Sequence, residues 1–330
     1  GICLKKKIIL TLLCLVIVIL MCCCYEFFKE NKEENLTTIK LAEVTHSPFY
    51  APFYVALEKG YFKDEGLNID LILTPGADKV SAAVLSGDVE IGFAGPESAI
   101  YIYKGGEEDY LITFAGLTKR DGQFIISKEK DFEWKDLVGK EILVGRKGGM
   151  PALNFLNALK NAGLNEKDLN INYSIDFASL GGSFIGGIGD YVNLFEPNAT
   201  KLEKEGYGYV VASIGELSGE MPYTAYYTKK SYLNGHEETL KKFNKAINKG
   251  LEFVLNNDET KTAEIILPQF KDSSLNDLSR IITRYKESDS WLANTTISEE
   301  SYKNLEDLMI ENNLLDAYVP FNELVKNFNE

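Results

Sequence analysis

The feature that most constrains this chain is an alternation of short apolar runs with helical stretches, which runs through once, pauses and starts again. Ile39–Val44 reads as a strand, Pro52–Gly60 as a helix, Leu67–Leu73 as a strand and Lys79–Ser86 as a helix. Glu90–Ala94 is then a strand, Pro96–Tyr103 a helix, and Ile112–Leu117 and Gln123–Ser127 are strands. Such β-α-β alternation predicts an α/β fold, with a mostly parallel sheet covered by helices on both faces.

The pattern restarts at Glu141–Gly145, followed by a helix over Pro151–Ala162 and strands at Ile171–Ile175, Tyr191–Phe195 and Val210–Ser213. An extended run, Thr224–Thr228, comes back, and beyond it the chain reads as almost wholly helical to Phe328. Two α/β units joined by extended crossovers near Ser127 and Tyr223 predict two lobes on a two-stranded hinge. The expected division is residues 39–127 plus 224–330 for lobe 1 and 128–223 for lobe 2. Hinged lobes suit closure around a ligand.

All five cysteines, Cys3, Cys14, Cys22, Cys23 and Cys24, lie in the first 24 residues. The rest of the chain therefore offers no disulfide, no thiolate metal site and no cysteine nucleophile. With two histidines, His46 and His236, a zinc or iron centre is not expected, nor is any cofactor. The net charge of −14 gives no basic face for nucleic acid.

Lys5, Lys6 and Lys7 precede the apolar run Ile8–Met21, the layout of a secretory signal. Leu20-Met21-Cys22-Cys23 resembles a bacterial lipobox, with Cys22 where a small residue is usual, and points to Cys23 as the lipidated residue, with Cys22 and Cys24 as alternatives. Residues 1–24 are thus expected to be a lipoprotein signal peptide, with an uncleaved anchor helix as the alternative. Residues 25–38, rich in Lys, Glu and Asn, read as a flexible tether.

Three strand ends lead directly into helix starts: His46 to Phe53, Gly95 to Ser98, and Arg146 to Pro151. Each start offers unpaired N–H groups and a positive dipole end, and ligands in open α/β sheets sit beyond such ends. Gly95, Gly148 and Gly149 let a ligand approach the backbone, with Pro96 and Pro151 at the helix starts. Phe49 and Tyr50 could stack on a flat ligand, whereas Phe53 and Tyr54 fit core equally well. Glu97 serves either dipole compensation or a ligand amino group, and a carboxylate there would repel a small anion. Arg146 would suit an anion. The glycine-rich stretch from Gly181 to Gly189 lacks the Gly-Lys-Ser/Thr ending of a phosphate loop and reads as a flexible loop.

Four ordered motifs carry a resemblance: the segment from His46 to Asp70, which includes Gly60-Tyr61-Phe62; Leu85–Gly95; Trp134–Leu143; and Gly189–Pro197. From about Ile39 onward the chain resembles the nitrate/sulfonate/taurine and thiamine-pyrimidine type of periplasmic-binding proteins. The resemblance implies a type II two-lobed fold, two mixed sheets flanked by helices, and a substrate-binding rather than enzymatic role in an ABC importer. Its partners would be a small-molecule ligand, permease subunits with their ATPase, and a membrane reached through the lipid anchor; the protein would be an exported monomer on the outer face of that membrane. The implied site comprises His46, Phe49, Tyr50, Gly95, Pro96, Glu97, Ser98, Arg146, Gly148, Gly149, Met150, Phe195, Glu196 and Tyr223. The ligand expected first is a thiamine-precursor aminopyrimidine, with alkanesulfonate or nitrate as the alternative. A thiamine-pyrimidine synthase is a remote third reading, disfavoured because the cysteine run lies in the export signal.

Overall fold

The computed structural model describes residues 2–329, and their side chains except at 2–6, 8 and 27–34. The basic flank Lys5-Lys6 and Cys3 therefore lie outside the described side chains.

Ten strands form two separate five-stranded sheets. The first contains β1 (Thr37–Glu43), β2 (Leu67–Leu73), β3 (Ile91–Ala94), β4 (Leu111–Thr118) and β10 (Thr224–Lys229), in the order β2-β1-β3-β10-β4. The second contains β5 (Phe124–Ser127), β6 (Glu141–Leu143), β7 (Asn170–Asn172), β8 (Tyr191–Leu194) and β9 (Tyr209–Ser213), in the order β7-β6-β8-β5-β9. Both sheets are mixed in the same way. β1 pairs in parallel with β2 and β3, and β6 with β7 and β8. One strand in each runs antiparallel: β10 between β3 and β4, and β5 between β8 and β9.

Those antiparallel strands are the ones that follow the crossovers. The first crossover falls between Thr118 and Phe124, not after Ser127 as expected, because β5 pairs with β8 and β9 and so belongs to the second lobe. Alternation of apolar residues could not reveal this, since β4 and β5 are both buried throughout. The return crossover, after the helix Ile214–Ser218, ends at Tyr223 as expected.

Burial accounts for the packing. In lobe 1 the rings of Phe93 and Tyr226 stack with centroids 4.2 Å apart, and Phe53 and Phe243 pack around them. The helix Glu237–Asn256 covers this sheet with Leu240, Phe243, Ile247, Leu251 and Val254, all fully buried. Lobe 2 has its own core of Ile125, Ile142, Val144, Phe155, Leu159 and Ile214.

Two expectations about flexible segments change. The glycine-rich stretch is not a loop at its start, because Leu180–Ile185 is helical, anchored by buried Leu180 and Phe184. The tether assigned to residues 25–38 is helix as far as Glu34, continuing the N-terminal helix Ile2–Glu34, so that Asn35 and Leu36 alone separate it from β1. Within that helix Ile9–Glu26 has a mean hydropathy of 2.6 and buries nothing against the rest of the protein, which makes it long and apolar enough to cross a membrane.

Candidate functional site

The two sheets face each other across a cleft of about 280 Å³. Its walls are the loops beyond the carboxyl ends of the parallel strands, where ligands bind in open α/β sheets. Lobe 1 contributes Val44 and Thr45 after β1, Pro75–Lys79 after β2, and Gly95 and Glu97 after β3. Lobe 2 contributes Val144–Arg146 and Gly149–Pro151 after β6, residues 173–179 after β7, and Phe195 after β8. Tyr223 and Thr224 line it from the return crossover, and Tyr50 from the loop after β1.

Glu97 opens the helix Glu97–Lys104 and is fully buried. Neither carboxylate oxygen makes a hydrogen bond of ordinary geometry. Burial pushes its pKa up to about 7, against the pull of its own backbone amide, the Arg146 charge and the amides of Met150 and Ser98. Gly95 is what allows this placement. A Cβ there would collide with Glu97 Oε2 and stand 2.5 Å from Met150 Cγ, which reaches over from lobe 2. Without a side chain at 95 the carboxylate folds back to the strand tip.

Arg146, half exposed, points across the cleft with Nε 4.0 Å from Asp78 Oδ1 of lobe 1. Gly148 has φ +83°, a conformation that favours glycine, and its carbonyl accepts a 2.7 Å hydrogen bond from Tyr101 Oη of lobe 1. Tyr223 is buried beside Asp121, and burial, with the Asp121 charge second, holds its pKa well above the usual phenol range. Of the fourteen residues expected at the site, Tyr50, Gly95, Glu97, Arg146, Gly149, Met150, Phe195 and Tyr223 line the cleft.

The other six sit elsewhere. Phe49 is core, its ring packed on Tyr50, Phe195 and Tyr285 and 2.7 Å from where a Cβ on Gly122 would lie. His46 is held by Glu43 Oε1 at 2.6 Å and the Gln269 carbonyl at 2.9 Å. With an acceptor on each ring nitrogen it is built to be doubly protonated, and its pKa is raised by Glu43 in spite of the larger, opposing effect of burial. Pro96 is the helix N-cap, and Ser98 donates backwards to the Gly95 carbonyl. Gly148 lies beside the cleft, held by Tyr101. Glu196 is turned away, tied to Thr200 N at 2.9 Å, Thr200 Oγ1 at 2.7 Å and Arg284 Nη1 at 3.0 Å.

Sequence reasoning missed the tips of β2 and β7, which place Asp78, Lys79, Tyr173, Asp176 and Phe177 on the cleft wall. The rule used for the other three tips, a strand running into a helix start, also fits Thr74-Pro75-Gly76 before the helix Ala77–Ser86.

Comparison with known proteins agrees with this architecture. A family model described as NMT1/THI5 like matches residues 47–261. YtlA of Bacillus subtilis (strain 168), whose name assigns it as a binding protein and gives no ligand, is 41% identical over 297 residues, covering 89% of each chain. The alkanesulfonate-binding protein SsuA from Xanthomonas axonopodis pv. citri, solved bound to MOPS, superposes with a TM-score of 0.71 at 17% identity, over 88% of this chain and 98% of that one. The ligand-binding component of an ABC-type import system from Staphylococcus aureus, solved with zinc bound, gives 0.72 at 14% identity, over 88% of this chain and 97% of that one. By the family match and the close relative together, the chain belongs to the NMT1/THI5-like family.

Proposed function

We propose that this protein is the extracytoplasmic substrate-binding component of an ABC importer. It traps a small solute between its lobes and presents the closed form to permease subunits driven by an ATPase. The name of YtlA, the relative aligned over 89% of this chain, supports binding over catalysis, and the ABC-type import role of a structural neighbour supports transport. Closure is a population shift: a ligand touching both lobes stabilises the closed form by its differential affinity. The N-terminal apolar helix supports export, with a lipid on Cys23 holding the monomeric body at the outer face of the membrane.

The ligand we favour is a nitrogen heterocycle of the aminopyrimidine type, such as a thiamine precursor. The observation that carries this is Glu97, a buried carboxylate on the cleft wall that no side chain pairs and that only backbone amides approach. An unpaired buried acceptor costs about 1–3 kcal/mol, which a ligand amino group would recover. Tyr50, Phe177, Phe195 and Tyr223 supply aromatic surface for a flat ring. A small organic anion is the second reading, supported by Arg146 and Lys79 on the cleft wall.

A thermal-shift screen of the full chain separates the two. A heterocycle at about 100 times its Kd should stabilise the fold by about 2.7 kcal/mol. Glu97→Gln should weaken that ligand at least tenfold by calorimetry while leaving the fold intact. Stabilisation by sulfonates or nitrate alone would remove the heterocycle reading.

A further inference from the structure

Phe177 and Ala178 have the cleft on one side and a further hollow on the other. A second cavity, of about 500 Å³, shares Val44, Thr45, Pro75, Phe177 and Ala178 with it as a common partition. Leu194 and Leu202 are buried in its wall. Leu73 from lobe 1 and Ile185 from lobe 2 also line it, left 54% and 43% exposed. Its polar residues, Asn198, Lys201 and Glu205, are exposed, and His46 has both ring nitrogens already engaged.

Gly181 and Gly182 line the same cavity from the helix Leu180–Ile185. Neither has a positive φ. A Cβ on Gly182 would meet nothing within 4 Å, and one on Gly181 only the methyls of Leu194 at 3.8 Å. Glycine inside a helix is unfavourable relative to alanine, and here neither backbone conformation nor packing requires it. What the two glycines do is leave the chamber unfilled. It adjoins, across Phe177 and Ala178, the cleft that the fully buried Glu97 lines.

We infer that the ligand has two parts: a polar head placed against Glu97 and an apolar appendage that passes Phe177 into the second chamber. This rests on reading the cleft as the ligand site and adds to it a size and shape. A compact ion or a bare ring leaves the chamber unused. Each methylene buried there should tighten binding by roughly fourfold.

The test uses matched pairs against the full chain in a lipid nanodisc, read by calorimetry. One pair is 4-amino-5-hydroxymethyl-2-methylpyrimidine and its benzyl ether; the other is methanesulfonate and hexanesulfonate. In the pyrimidine pair the longer member should bind at least tenfold more tightly, whereas a gain in the sulfonate pair alone would overturn the placement of the head against Glu97. Gly182→Phe should erase that gain while the shorter member's Kd stays within twofold, and Gly182→Ala should keep most of the gain. The melting temperature of the unliganded Gly182→Phe protein should not fall. Equal affinities within a pair, or a loss shared by both members in Gly182→Phe, would overturn the two-part ligand and leave the cleft itself standing. No binding by any of the four compounds would overturn this inference and the favoured ligand class together.

Discussion

At the scale of single residues the cleft is set by a carboxylate that gains nothing from being buried until something binds it. Glu97 ionises near pH 4.5 when exposed and is pushed up to about 7 in the folded protein. Between those values the unfolded chain releases the proton and the folded one keeps it, so stability falls as pH rises through that window. The expected loss from this group is about 3 kcal/mol. Asp121, also pushed up to about 7 by burial against two hydrogen bonds from Gln123, works in the same direction. Denaturant titrations of the unliganded protein at pH 4.5 and 7 should therefore show a drop, and Glu97→Gln should make it smaller. A drop of the same size in that variant would mean that Glu97 is not the proton-linked group.

Among the elements, the N-terminal helix stands apart because its stretch Ile9–Glu26 packs on nothing else in the protein. A helix of 33 residues is about 50 Å long, more than a bilayer's hydrocarbon thickness. Since Ile9–Glu26 buries nothing, removing residues 1–34 should leave the melting temperature of the body within about 2 °C. A larger fall in a calorimetric scan would show that the helix packs on a lobe. The strands were legible in outline: Leu67–Leu73 coincides with β2, and the other nine fall within a few residues of their expected places. One short helix was not. Leu180–Ile185 begins in a run of glycines whose local preference is for coil, and it is stabilised by burying Leu180 and Phe184, a tertiary effect.

In the whole molecule the lobes are joined by more than two crossovers. Glu196 of lobe 2 is fully buried and paired with Arg284 of the helix Leu275–Glu287, while Ser47 Oγ of lobe 1 donates to the Glu196 carbonyl. Tyr285 adds a further link, accepting from Glu196 N and donating to the Gly122 carbonyl at 2.8 Å. These contacts gather on the hinge side, whereas Arg146–Asp78 and Tyr101–Gly148 bridge the lobes at the cleft. Removing Arg284 strands a buried carboxylate, so Arg284→Leu should cost about 3–5 kcal/mol by denaturant unfolding. Adding Glu196→Gln should restore part of the loss, because the stranded charge is gone. Failure of the second change to restore anything would show that the cost came from lost packing.

The sequence by itself determined the two-lobed α/β plan, the apolar N-terminal segment and the strand tips that meet at the cleft, because strand and helix periodicity and glycine–proline punctuation are local signals. The tertiary structure decided which side chain at each tip faces the cleft. Phe49 and Tyr50 are neighbours, yet one is core and the other cleft wall. Glu97 and Glu196 both follow a strand tip. One is left unpaired at the cleft and the other is bound to an arginine 88 residues away. Such outcomes depend on which distant surfaces pack together, and no local pattern encodes that.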